Sequence, residues 1–207
     1  MKKDLLCLAM LFTIALAGKA TAQEIEIKYQ DLIATESSEL LQTVLDMQKI
    51  RAYSVTLKGE NIKDKRYALK CHRVENGKVQ DDMLQGMVKG TVRENDSLCL
   101  KFYAIPSGQD TVSLRIDCTA GKITLPIKIN SEEAILMETF LNKPLSVYEP
   151  IPIISLNAGE YFEVELPTGA KMTGRHYCPI RDEHIHPSLW TEKYKMDDYI
   201  YFEVKFE

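Results

Sequence analysis

Beyond its first 22 residues the chain has no apolar run approaching about 18 residues, so nothing there can cross a bilayer as a helix. It has no basic run, and its formal charge is −4, which argues against nucleic acid and anionic membrane surfaces as partners. Tryptophan occurs once and histidine four times. The signatures of activated nucleophiles and phosphate sites are missing: no Gly-x-Ser-x-Gly elbow, no Ser-x-x-Lys, no His-Glu-x-x-His and no glycine-rich phosphate loop. These absences lean the reading away from an enzyme. Internal repeats and low-complexity tracts are lacking as well.

What is present begins with a leader pattern. Lys2 and Lys3 precede an apolar run from Leu5 to Ala17, and Ala20-Thr21-Ala22 is the small-x-small pattern a signal peptidase cuts after. Residues 1–22 therefore read as an export signal, and the mature chain is expected to fold in the periplasm or outside the cell. Lys2, Lys3, Lys19 and Asp4 give the leader a net +2, so its removal takes the charge from −4 to −6. Cys7 lies inside the apolar run and position 23 is Gln, unlike an acylated lipoprotein, so no membrane anchor is expected after cleavage. Cys71, Cys99, Cys118 and Cys178 remain, and in an oxidising compartment they allow three pairings that spacing cannot separate. Residues 23–207 suffice to bury a core without metal or disulfide and read as one mainly β domain. Pro144, Pro150 and Pro152 mark a sub-boundary near 143–152.

Periodicity supports that class. Ile25, Ile27 and Tyr29 alternate with Glu26 and Lys28 as in a half-buried strand. Leu40, Leu41, Val44 and Leu45 sit at helical spacing within Ser37–Gln48, with Ser37 or Ser38 as cap. Asn76-Gly77 predicts a type I′ hairpin that sets Val74 opposite Val79 and His72 opposite Asp81. Met87–Val92 and Leu98–Ala104 flank a turn at Glu94-Asn95-Asp96 and read as another hairpin. Val112 to Cys118 and Ile123 to Ile129 alternate on either side of an Ala120-Gly121 loop, which would set Ile116 opposite Leu125.

The hairpin before it presents a conflict. A two-residue Gly108-Gln109 loop puts Cys99 opposite Cys118 but mixes core and solvent faces, with Phe102 opposite Arg115. A one-residue slip repairs the faces and parts the cysteines, and burial of several side chains outweighs one turn preference. Further on, Glu132 and Glu133 suit the first turn of a helix capped by Asn130 or Ser131, with Ile135, Leu136, Thr139 and Phe140 as its buried stripe. Phe162, Val164 and Leu166 form a strand before a Pro167-Thr168-Gly169 turn, and Ile200, Phe202, Val204 and Phe206 a final one. Many short strands with turns every ten or so residues predict an antiparallel β-sandwich-like domain with one or two short helices.

Two groups of residues invite a chemical reading. His176, Cys178, His184 and His186 are zinc- or copper-type ligands, paired two apart so that each pair shares a face in extended chain. Their spacing matches no ribbon or finger, and the competing reading is a surface loop with Cys178 buried or bridged to Cys71. Catalysis there would need an open coordination position and a base such as Glu183. Trp190, with Tyr194 and the neighbouring Tyr177, Tyr199 and Tyr201, could form a platform for a sugar ring or peptide. Such aromatics serve equally well in a core. Glu163 and Glu165, Asp81 and Asp82, and Asp197 and Asp198 read as solvated charges, and His72 with Asp81 as a hydrogen-bonded pair.

The Met1-Lys2-Lys3 start, the Ala20-Thr21-Ala22-Gln23 cleavage region and the strand-rich remainder resemble small secreted proteins of the Bacteroidetes. That resemblance is one of layout, implies an envelope location and carries no site residue or activity. The sequence therefore reads as an exported, non-catalytic interaction domain of the cell envelope that binds a protein or glycan without a cofactor. The alternative is a metal-binding protein, or a metal-dependent enzyme, on the His176–His186 segment.

Overall fold

The computed structural model describes residues 25–80, 82–93, 96–130, 133–139, 144–177 and 185–207. Two antiparallel sheets pack face to face. The first takes β1 (Glu26–Asp31), β2 (Arg51–Lys58), β6 (Ser97–Gly108), β7 (Thr111–Cys118) and β8 (Gly121–Lys128), in the order β1-β2-β6-β7-β8. The second contains β3 (Arg66–Glu75), β4 (Lys78–Val79), β9 (Ile135–Glu138), β10 (Ile151–Asn157) and β13 (Asp198–Phe206), in the order β4-β3-β13-β10-β9. Strand β5 (Lys89–Thr91) also joins β3, and β11 (Glu160–Glu165) with β12 (Lys171–His176) forms a separate two-stranded sheet. The described residues also include two short α-helices, α1 (Glu39–Met47) and α2 (Trp190–Tyr194). No helix among the described residues is long and apolar enough to cross a membrane.

Period-two alternation explains the layers. In the first sheet Val55, Leu57, Leu100, Phe102, Leu114 and Ile116 turn inward; in the second, Leu69, Cys71, Leu156, Ile200, Phe202 and Val204 meet them. Phe102 and Phe202 touch across the interface, with ring centroids 5.1 Å apart. Each such side chain contributes roughly 1.5–3 kcal/mol by leaving water. Residues on both sides of the Pro144–Pro152 connector enter this one cluster. The exposed edge is blunted: Pro126 denies β8 one backbone donor, and Lys122 and Lys128 flank it.

Several local expectations hold in detail. Ser38 caps α1, its hydroxyl accepting from the Leu41 N–H. Asn76 and Gly77 both take positive φ, 50° and 72°, and Val74 pairs with Val79. The β6–β7 pair adopts the slipped register, with Phe102 opposite Ile116 and an irregularity between Pro106 and Gly108 absorbing the offset. Cys99 and Cys118 are thereby parted, and Cys71, Cys99 and Cys118 are free thiols.

Three expectations are corrected. The β7–β8 turn falls at Thr119-Ala120, closed by Cys118 opposite Gly121, so Ile116 faces Ile123 instead of Leu125. A slip of two preserves side-chain parity, and Gly121 accepts the φ of 137° that the tighter closure demands. The strands around Glu94-Asn95-Asp96 do not pair with each other: β5 joins β3, whereas β6 joins β2 and β7. Ile135–Glu138 is strand β9, not helix, because its backbone completes the open edge of β10, with Leu136 opposite Leu156. Tertiary pairing here overrides a capping signal worth only about 1 kcal/mol. The expected His72–Asp81 pair falls on Asp81, which lies outside the described residues; His72 bonds Glu203 through Nε2.

Candidate functional site

The outer face of the second sheet is covered, which its sequence did not advertise. On β13 the side chains opposite to Ile200, Phe202 and Val204 are Tyr199, Tyr201 and Glu203, and all three are buried. The cover is the segment from Ile185 to Met196. Trp190, Tyr194 and Met196 pack there with Val74, Met137, Tyr199 and Tyr201 in a second apolar cluster. Trp190 is 1% exposed and Tyr194 3%, so neither presents an open face for a ring to stack on. The indole Nε1 donates to the Ile185 carbonyl at 3.0 Å, and Tyr199 Oη donates to the Pro187 carbonyl at 2.6 Å.

A carboxylate fastens this cover. Glu203 Oε2 accepts from His72 Nε2 at 3.0 Å, and Oε1 accepts from His186 Nε2 at 3.1 Å. The Ser188 N–H donates to His186 Nδ1 at 3.2 Å, which turns Nε2 of the ring towards Glu203. His72 stacks on Tyr201 with centroids 4.9 Å apart, and His186 meets the same ring edge-on. Burial alone would raise the Glu203 carboxyl; hydrogen bonds from His186 and His72, and their charge, outweigh it and bring it from the ordinary 4.5 down to about 2. Burial, reinforced by the charge of Glu203, pushes the Tyr201 hydroxyl up. Both carboxylate oxygens are spent on imidazole donors, so the arrangement clamps the segment carrying His186 onto the sheet.

The four residues expected as metal ligands are placed as follows. His176 lies against Phe162, ring centroids 4.0 Å apart, and His186 serves Glu203; Cys178 and His184 lie outside the described residues. Among the described residues no three His, Cys, Asp or Glu side chains are grouped to hold a metal ion. Glu203, absent from the sequence reading, is the residue that gathers the histidines. Its only sequence signal was an outer face of β13 rich in tyrosine, unusual for a face open to water.

An exposed apolar surface lies beside this cover. Strands β11 and β12 project as a hairpin closed by Gly169 at φ 78°, with Val164 opposite Met172 and Phe162 opposite Gly174. Phe162 lies over Gly174 so closely that a Cβ there would sit 2.7 Å from the ring. Val164, Leu166 and Met172 are 45%, 39% and 47% exposed. Charges occupy the other face: Lys171 Nζ contacts Glu163 at 2.7 Å, and the Arg175 guanidinium lies over the Tyr161 ring at 5.2 Å. The hairpin is tied at its base, where Arg175 Nη2 bonds Glu133 at 2.8 Å and Tyr177 Oη donates to the Glu133 carbonyl. A cleft of about 300 Å³ opens there between Tyr161, Arg175, Glu133 and Asp198. Helix α1 shows a similar face: Leu40, Val44 and Met47 are exposed and none of its residues is buried. No protein-family model matches the chain, and neither a curated protein nor a solved structure is detectably similar to it.

Proposed function

We propose that the protein is an exported, non-catalytic interaction domain of the bacterial cell envelope that engages a protein partner through the β11–β12 hairpin. The observation that carries this reading is the aliphatic face of Val164, Leu166 and Met172, held out from the sandwich on a hairpin tied at its base. A two-stranded hairpin is marginal alone, and its apolar face gains most when another polypeptide covers it. A protein is favoured over a glycan because the aromatic pair suited to sugar stacking, Trp190 and Tyr194, is enclosed. The envelope location rests on the leader pattern of residues 1–22.

The test is a photo-crosslinking amino acid placed at position 164 in cells that naturally export the protein. A discrete adduct with one protein, lost on Met172→Asp and absent when the crosslinker sits at Lys205, is the expected result. Equal adducts from both positions, or none from 164, would overturn the proposal.

A further inference from the structure

A second site lies at one end of the sandwich, where β5 leaves the second sheet and β6 enters the first. A cavity of about 540 Å³ opens there, within the range of roughly 300–1,000 Å³ that small-molecule sites occupy. Its polar wall is Lys89, Thr91, Arg93, Ser97 and Thr119, and its apolar floor is Val92 and Leu98. Among the described residues that line it there is no carboxylate. In a chain of net charge −4, two cations and three hydroxyls converge here with no acid among the described lining residues, a local charge opposite to that of the whole.

Arg73, Arg115 and Arg175 are each paired with a carboxylate, whereas Lys89 and Arg93 form no ion pair among the described residues. Asp96, three positions on from Arg93, faces Lys63 at 3.8 Å and accepts the Gly59 N–H on its carbonyl. The rear of the cavity is fixed. Tyr67, 1% exposed, meets Thr119 Oγ1 at 3.0 Å through its hydroxyl, and a Cβ on Gly90 would lie 2.7 Å from its ring. Position 90 thus admits only glycine, which lets β5 lie against the tyrosine with Lys89 and Thr91 on either side.

We propose that this cavity binds a small hydroxylated anion of monosaccharide size, its carboxylate, sulfate or phosphate held by Lys89 and Arg93. An ammonium and a planar guanidinium supply the charge-assisted contacts, which are the strong ones for such groups. Thr91 and Ser97 face the hydroxyls of the ligand, and Val92 and Leu98 receive its carbon frame. This site stands apart from the hairpin and does not depend on the partner proposed for it.

Isothermal titration of the mature chain with glucuronate, glucose 6-sulfate, glucose 6-phosphate and glucose tests the assignment. At least one anion should bind saturably with a dissociation constant below about 1 mM at low salt, and added salt should weaken it. Glucose should give no saturable signal, and the anion that binds best identifies the acidic group. Lys89→Ala/Arg93→Ala should weaken binding about tenfold or more, whereas Lys205→Ala should not. Both substituted cations are exposed, so the double variant should melt as the parent does. No saturable binding by any anion, equal binding of glucose, or an unchanged affinity in the double variant would each overturn the proposal.

Discussion

Glu203 is an anion kept ionised inside a mostly apolar layer, and the cost of placing it there is offset by two imidazole donors. Its carboxyl is depressed in the folded chain from 4.5 to about 2, so the stability it contributes is complete above pH 4.5 and is lost as pH falls towards 2. A shift of that size corresponds to about 3 kcal/mol. Glu203→Gln should therefore lower stability near neutral pH and flatten the decline between pH 4.5 and 2, measured by urea unfolding at a series of pH values. An unchanged acid limb would contradict the clamp. Trp190→Ala, at a 1% exposed position, should cost about 3–5 kcal/mol, since it removes the largest side chain of the outer cluster. Neither role was visible in the residues themselves. Tryptophan reads alike as a platform or as core, and the partner of His72 lies 131 positions away in a strand whose inner face dominated the pattern.

The elements divide into those that periodicity reveals and those that pairing decides. Helix α1, the β3–β4 turn and the final strand announce themselves through a cap, an Asn-Gly pair and a clean alternation, all local signals. Strand β9 could not be read locally: acids after a capping residue spell a helix start, and only the vacant edge of β10 makes four residues extended. The β6–β7 pair shows the opposite outcome, since comparing the two registers by the faces they bury singles out the one observed. For α1, exposure sets the expectation. Leu40→Glu and Met47→Glu, at positions 76% and 79% exposed, should move stability by no more than about 0.5 kcal/mol. Ser38→Ala in the same helix should cost about 1 kcal/mol by removing the cap, so a thermal melt separates the two kinds of change.

At the scale of the whole molecule, the two sheets share strands that are neighbours in sequence. The chain crosses from one sheet to the other between β2 and β3, between β5 and β6, and between β8 and β9. That interleaving accounts for one core spanning the proline connector, and it places the free thiols at different depths. Cys71 is buried, and burial with the adjacent Asp82 charge pushes its thiol up, whereas Cys99 is exposed. Brief treatment of the native protein with iodoacetamide should modify Cys99 well before Cys71, as peptide mass mapping would show. Cys71 reacting first would contradict the inward face assigned to β3.

The sole tryptophan sits in the outer cluster and none in the large core. Indole emission is thus an internal gauge of a single layer, while far-ultraviolet dichroism averages over every strand. If the covering segment peels away ahead of the sandwich, the two signals will trace separate midpoints in urea; if the layers are welded together, they will superimpose.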